Sequence, residues 1–129
     1  MEANLTLWRR VGSWIDIKGR REGWLGFILM RLTGIGLVVY LFLHLYMLRL
    51  LWVGPEAWNA FIELAHAPLF IFFDAVMIFG LIYHALNGIR VGILGLGFAT
   101  DKQAPLFWGV FVLSFILTAA SIAAIVAIG

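Results

Sequence analysis

The sequence predicts an all-α integral membrane protein: three transmembrane helices preceded by an N-terminal amphipathic segment on the cytoplasmic side. Three observations carry this. The 129 residues are 64% hydrophobic and 12% charged, with a mean hydropathy of +1.02, which is more apolar surface than a water-soluble domain of this length can bury. Three apolar segments, Trp24 to Trp52, Pro68 to Leu96 and Leu106 to Ile128, are each long enough to cross ~30 Å of hydrocarbon as a helix. A closed barrel needs many more strands than three segments supply, so helix is the spanning form that remains.

The elements follow in chain order. Residues 1–23 form the predicted cytoplasmic segment. In "NLTLWRRVGSWIDIKGRREGW" the residues Leu7, Trp8, Val11, Trp14 and Ile15 recur at helical spacing with basic residues between them. That pattern suits a helix lying on the membrane face, or one docked on a cytoplasmic partner. Residues 24–129 form the membrane domain. Its first connection, "VGPEAWNAFIELAHAP", is bounded by Gly54-Pro55 and Pro68 and has room for a short surface helix. The second, "GLGFATDKQAP", is brief and marked by Gly and Pro. No cleavable targeting segment is expected, because the first apolar run is too long for a signal-peptide core and the Arg-rich start also carries Glu2, Asp16 and Glu22.

Charge orients the chain. Arg9, Arg10, Lys18, Arg20, Arg21 and Arg31 cluster before or at the start of the first span, and Arg90 and Lys102 flank the second connection. The first connection carries Glu56, Glu63 and His66 with no Lys or Arg, and Arg49 is the one exception near that side. The positive-inside rule then places the N-terminus in the cytoplasm and the C-terminus outside, in a prokaryotic cytoplasmic (inner) membrane. The net charge of +2 gives no reason to expect nucleic acid. The chain has no cysteine, which excludes disulfides, thiolate metal sites and iron–sulfur ligation by its own residues.

The polar residues within the spans are the informative ones. "YHALNGIRVGI" places an imidazole at His84, an amide at Asn87 and a guanidinium at Arg90, and each is costly in hydrocarbon without a partner. Arg31 and Arg90 lie near the cytoplasmic helix ends, where a long side chain can snorkel. His84 is then roughly 9 Å deeper than Arg90, and His44 roughly 20 Å deeper than Arg31, so the two imidazoles are poorly placed to share one metal. Gly80, His84 and Gly88 fall at i, i+4 and i+8 on one helix face. Glycine on both sides of an imidazole leaves a groove in which a flat macrocycle can lie, and haem iron accepts a neutral imidazole. Arg31 or Arg90 would neutralise the propionates. His44, with Tyr40 and Gly36 behind it, is a looser version of the same pattern. The competing reading is plain helix packing: membrane histidines bond neighbouring helices, and Gly80 and Gly88 permit close approach. His66 reads as a surface residue, and Asp74 as a structural or helix-end group.

Two motifs sharpen this. R-x-S/T-G on the first helix ("RLTG", Arg31 to Gly34) and H-x-x-x-G-I-R on the second ("HALNGIR", His84 to Arg90) occur in this order on successive spans. In this combination the chain resembles the cytochrome b membrane-anchor subunit of succinate dehydrogenase (succinate:quinone oxidoreductase). The resemblance implies that His84 is an axial ligand of haem b and that the opposing ligand comes from a second three-span anchor subunit. It implies that Arg31 lies near haem propionates and quinone, with Thr33 beside it as a weaker candidate; Arg90 as a propionate partner and Gly80 and Gly88 on the haem face rest on the residue chemistry above. His44 matches the branch with two haems, in which it would ligate the distal one; with a single haem it is a packing residue. Implied partners are the second anchor, an iron–sulfur subunit, a flavoprotein subunit and the lipid bilayer. Many ubiquinone-using members carry a serine four residues before the arginine and a histidine just before it. This chain has Phe27 and Met30, which leaves the quinone open and makes menaquinone an alternative. A haem-free structural anchor, the equivalent subunit of a fumarate reductase, and a transporter subunit are the competing functions. The last would call for a broken helix or several mid-membrane carboxylates.

Overall fold

The structure is a computed structural model that describes residues 21–128. The expected amphipathic segment therefore lies outside the described residues, except for residues 21–23, which belong to the first helix. The order is α1 (Arg21–Leu48), α2 (Leu50–Val53), α3 (Pro55–Ala65), α4 (Pro68–Gly95), a 3-10 turn (Thr100–Lys102) and α5 (Gln103–Ile128). Three stretches, Glu22–Val53, Pro68–Gly95 and Thr100–Ile128, are long and apolar enough to span a membrane. The three-span architecture read from the sequence is thus the architecture observed, and the protein is a multi-pass membrane protein.

The boundaries follow local chemistry. Glu22 sits in the first turn of α1, where a carboxylate favours the positive end of the helix dipole. The chain leaves α2 through Gly54, whose φ of 137° and ψ of 168° lie where a Cβ is disfavoured. Pro55 then opens α3 at a position that needs no N–H. Ala67 is extended, at φ −65° and ψ 142°, as the residue before Pro68 must be. The end of α4 is a Schellman motif: Phe98 N–H donates to Ile93 O at 3.2 Å, Gly97 N–H donates to Leu94 O at 3.0 Å, and Gly97 takes a φ of 84°. Helix α5 begins at Gln103 rather than Leu106, because Pro105 is tolerated within a first turn.

Helix α4 is central and packs on both α1 and α5. Its seam with α5 is aromatic. Phe79 meets Phe115 at 4.7 Å between centroids and Phe111 edge-on at 6.1 Å, and Tyr83 meets Phe111 edge-on at 6.4 Å. Ser114 and Thr118 are buried on α5, and each hydroxyl donates to the carbonyl four residues back, at 2.7 Å. The outer surface of the spans is mostly apolar: Leu32, Phe42, Phe72, Leu81 and Val126 are all more than half exposed, as lipid-solvated positions are.

Candidate functional site

The α1–α4 seam is built from two pairs of glycines eight residues apart, Gly26 and Gly34 on α1, Gly80 and Gly88 on α4. Each glycine faces a larger side chain of the other helix. A Cβ on Gly34 would meet His84 Cε1 at 3.1 Å, and one on Gly26 would meet Arg90 Nη1 at 3.2 Å. In return, a Cβ on Gly80 would meet the Thr33 methyl at 3.8 Å, and one on Gly88 would meet Met30 Cε at 3.4 Å. Small residues thus let two helix backbones approach while side chains interlock, as membrane helix pairs require. The groove that the sequence suggested between Gly80 and Gly88 is occupied by Thr33 and Met30 of α1.

His84 is half-buried, and its ring has one bound side. Nδ1 lies 3.0 Å from Thr33 Oγ1. Thr33 Oγ1 is in turn 2.7 Å from Leu29 O and 3.2 Å from Met30 O. Nε2 has no hydrogen-bond partner among the described residues. The donor set fits a haem: a ring nitrogen is free for iron, the other is tied to the protein, and the ring is held at a half-exposed helix face that a partner chain can reach.

Arg31 is exposed, with its guanidinium 4.6 Å from the centre of the Phe27 ring. Among the described residues its contact is with that ring and not with His84. Arg90, expected to snorkel outward, is buried at 6% exposure. It turns into the three-helix junction, donating from Nη1 to Asn87 Oδ1 at 3.2 Å and from Nη2 to Gln103 O at 3.3 Å, with Phe107 5.6 Å away. Fully buried Asn87 and Tyr83 both donate to Gly26 O over a long 3.5 Å. The chain therefore supplies partners for Asn87 and for most of Arg90, whose Nε alone is buried without one among the described residues.

His44 is elsewhere. It lies ten residues beyond Gly34 along α1, about 15 Å at helical rise, so the two imidazoles mark separate places. It is exposed, stacks on Tyr40 at 5.5 Å and 26°, and lines a 570 Å³ cavity bounded by α1, α3 and α4. Gly36, Trp58, Phe61, Asp74 and Met77 share its wall, and a Cβ on Gly36 would meet nothing within 4 Å. The lining of this space is almost wholly apolar, and the His44 ring forms part of its wall. Asp74 is exposed and lines this space. His66 is an exposed loop residue whose Nδ1 lies 2.7 Å from Ile62 O. No group of three or more His, Cys, Asp or Glu side chains that could hold a metal ion by itself occurs among the described residues.

Sequence reasoning quoted Gly34 within a motif but assigned it no role, and it passed over Gly26 and Tyr83. The available signal was the repeated eight-residue glycine spacing on two successive spans.

Comparison with known proteins agrees with this architecture. The family described as succinate dehydrogenase/fumarate reductase transmembrane subunit matches residues 6–124. The chain is also similar to the succinate dehydrogenase hydrophobic membrane anchor subunit of Halobacterium salinarum, at 26% identity over 112 residues, covering 86% of this chain and 84% of the relative. With nearly its whole length matched, and three spans packed with α4 between α1 and α5, the chain belongs to the succinate dehydrogenase/fumarate reductase transmembrane subunit family and is a membrane-anchor subunit of that complex.

Proposed function

We propose that this anchor holds haem b through His84, with the opposing axial ligand from a second anchor subunit, and helps form the site where quinone is reduced. The observation that carries the reading is the state of His84: one ring nitrogen engaged by Thr33, the other unpartnered at a half-exposed face. A bis-histidine haem has no open coordination position and supplies one-electron transfer and storage.

The chain's own residues do the rest. His84 would be the ligand, held from behind by α1. Arg31, exposed beside Phe27, is free to reach a neighbouring subunit, a propionate or a quinone oxygen, where its charge would favour the reduced, more negative headgroup. Arg90, bonded inward, is given a structural role instead. Flavoprotein and iron–sulfur subunits on the cytoplasmic side would deliver the electrons, with the N-terminus facing them. Phe27 and Met30 stand where ubiquinone-using relatives carry polar groups, which favours a menaquinone-type substrate.

A second haem at His44 is supported by the 570 Å³ cavity its ring lines. The test is a pyridine haemochrome assay on the purified complex, reading haem b per flavin. Two haems falling to one in His44→Leu, and the loss of a spectrally distinct haem in His84→Leu, are the expected results. One haem unaffected by His44→Leu returns His44 to packing. A colourless wild-type complex leaves a haem-free structural anchor.

A further inference from the structure

From the geometry we infer that Thr33 is a positioning residue for His84, setting which ring nitrogen carries the proton and tuning the metal bound to the other. This deepens the haem reading above and rests on it. The argument is one of counting protons. A threonine hydroxyl has one proton and two lone pairs. Thr33 Oγ1 lies 2.7 Å from Leu29 O, with Met30 O at 3.2 Å, and carbonyl oxygens only accept. The hydroxyl proton must point at them, since two oxygens at 2.7 Å with no proton between would repel.

The lone pairs of Oγ1 then face His84 Nδ1 at 3.0 Å, so Nδ1 is the protonated nitrogen and donates. In the neutral ring Nε2 is consequently the bare nitrogen, which is the form a metal binds. Gly34 completes the device, because its missing side chain leaves room for the Cε1 edge of the ring, 3.1 Å from where a Cβ would be. The Thr-Gly pair of the R-x-S/T-G motif therefore reads as a socket for the imidazole of the H-x-x-x-G-I-R motif.

Two consequences follow for a metal on Nε2. The bond restrains ring rotation, so the ligand is presented in one orientation. Accepting a hydrogen bond from Nδ1–H also makes the imidazole a better electron donor, which stabilises the ferric over the ferrous state. Outer partners of this kind are worth roughly 10–100-fold in metal affinity or activity.

The test uses the assembled complex with Thr33→Val, which keeps the shape and loses the hydroxyl, and Thr33→Ser, which keeps the hydroxyl. Haem per flavin, the haem midpoint potential and the low-temperature EPR spectrum of the ferric state are read together. In Thr33→Val the potential of the His84 haem rises, its EPR g values move and haem is lost more readily, while Thr33→Ser restores all three. A haem-loaded Thr33→Val complex with wild-type potential and EPR overturns the proposal and leaves the haem assignment standing. If Thr33→Val assembles without haem, Thr33→Ser decides: recovery of haem and potential supports the hydroxyl's role, and failure like that of Thr33→Val overturns it. A wild-type complex without haem sinks the haem reading and this inference with it.

Discussion

A methyl group on Gly34 would lie 3.1 Å from Cε1 of His84, closer than a carbon–carbon contact tolerates without movement. Gly34→Ala must therefore push the imidazole away from α1 and lengthen the 3.0 Å contact with Thr33. We expect lower haem retention and a broadened ferric EPR signal in the purified complex. Gly88→Ala is the internal control: its methyl would sit at 3.4 Å from the flexible end of Met30, an ordinary contact, and the complex should keep its haem. Equal effects from the two substitutions would count against the socket.

The polar junction around Arg90 predicts a stability effect distinct from any effect on colour. Arg90→Met removes the donors to Asn87 Oδ1 and Gln103 O and leaves a buried amide oxygen without a partner. The bond to Gln103 O crosses from α4 to α5, and membrane interhelical hydrogen bonds average about 0.6 kcal/mol and reach about 1.7 kcal/mol; the unsatisfied Asn87 oxygen costs about 1–3 kcal/mol. A loss on the order of 2 kcal/mol is expected, seen as a lower Tm of the detergent-solubilised complex. An accompanying loss of haem ahead of unfolding would instead implicate Arg90 in a cofactor contact.

On α5 the opposite outcome is expected. The Ser114 hydroxyl is buried but is satisfied by Val110 O of its own helix, so it holds no neighbour in place. Ser114→Ala should change Tm little, because donor and shape are nearly neutral there, whereas Ser114→Leu would force α4 and α5 apart. A large loss in Ser114→Ala would mean that the hydroxyl reaches a partner chain.

The absence of cysteine makes the proposed topology directly measurable. A single cysteine at Glu63, in α3, should react with a membrane-impermeant maleimide added outside intact cells. One at Asp101, in the 3-10 turn, should react only after permeabilisation. The reverse pattern would invert the orientation argued from the basic residues.

The spans were legible because twenty or more consecutive apolar residues leave one structural option in lipid, and α3 was legible from Pro55 and Pro68 at its edges. The ligand candidate His84 stood out as a polar group with glycines at four-residue spacing. What hydropathy does not encode is helix rotation. Which face of α1 meets α4 depends on where glycines and side chains interlock, so the partnership of Thr33 with His84 could not be read from either motif alone. Arg90 shows the same limit. Its position near a helix end suggested an outward-reaching chain, but three helices converge there with a carbonyl, an amide and an aromatic face on offer, and the guanidinium turns in.

Among the described residues the buried set includes Asn87, Arg90, Ser114 and Thr118 beside only two hydrophobic side chains, Tyr83 and Phe107. Such an interior inverts the logic of a protein in water. Water is the agent that would loosen its polar contacts, since each interhelical hydrogen bond, such as those of Thr33 with His84 and of Tyr83, Asn87 and Arg90, is one that a solvent molecule can replace. Hydrocarbon around the helices acts as a seal. The choice of amphiphile during purification is then a choice about the fold: a loose micelle that admits water along the α1–α4 seam would let intact helices drift apart, and a tight, lipid-retaining one would keep them in register.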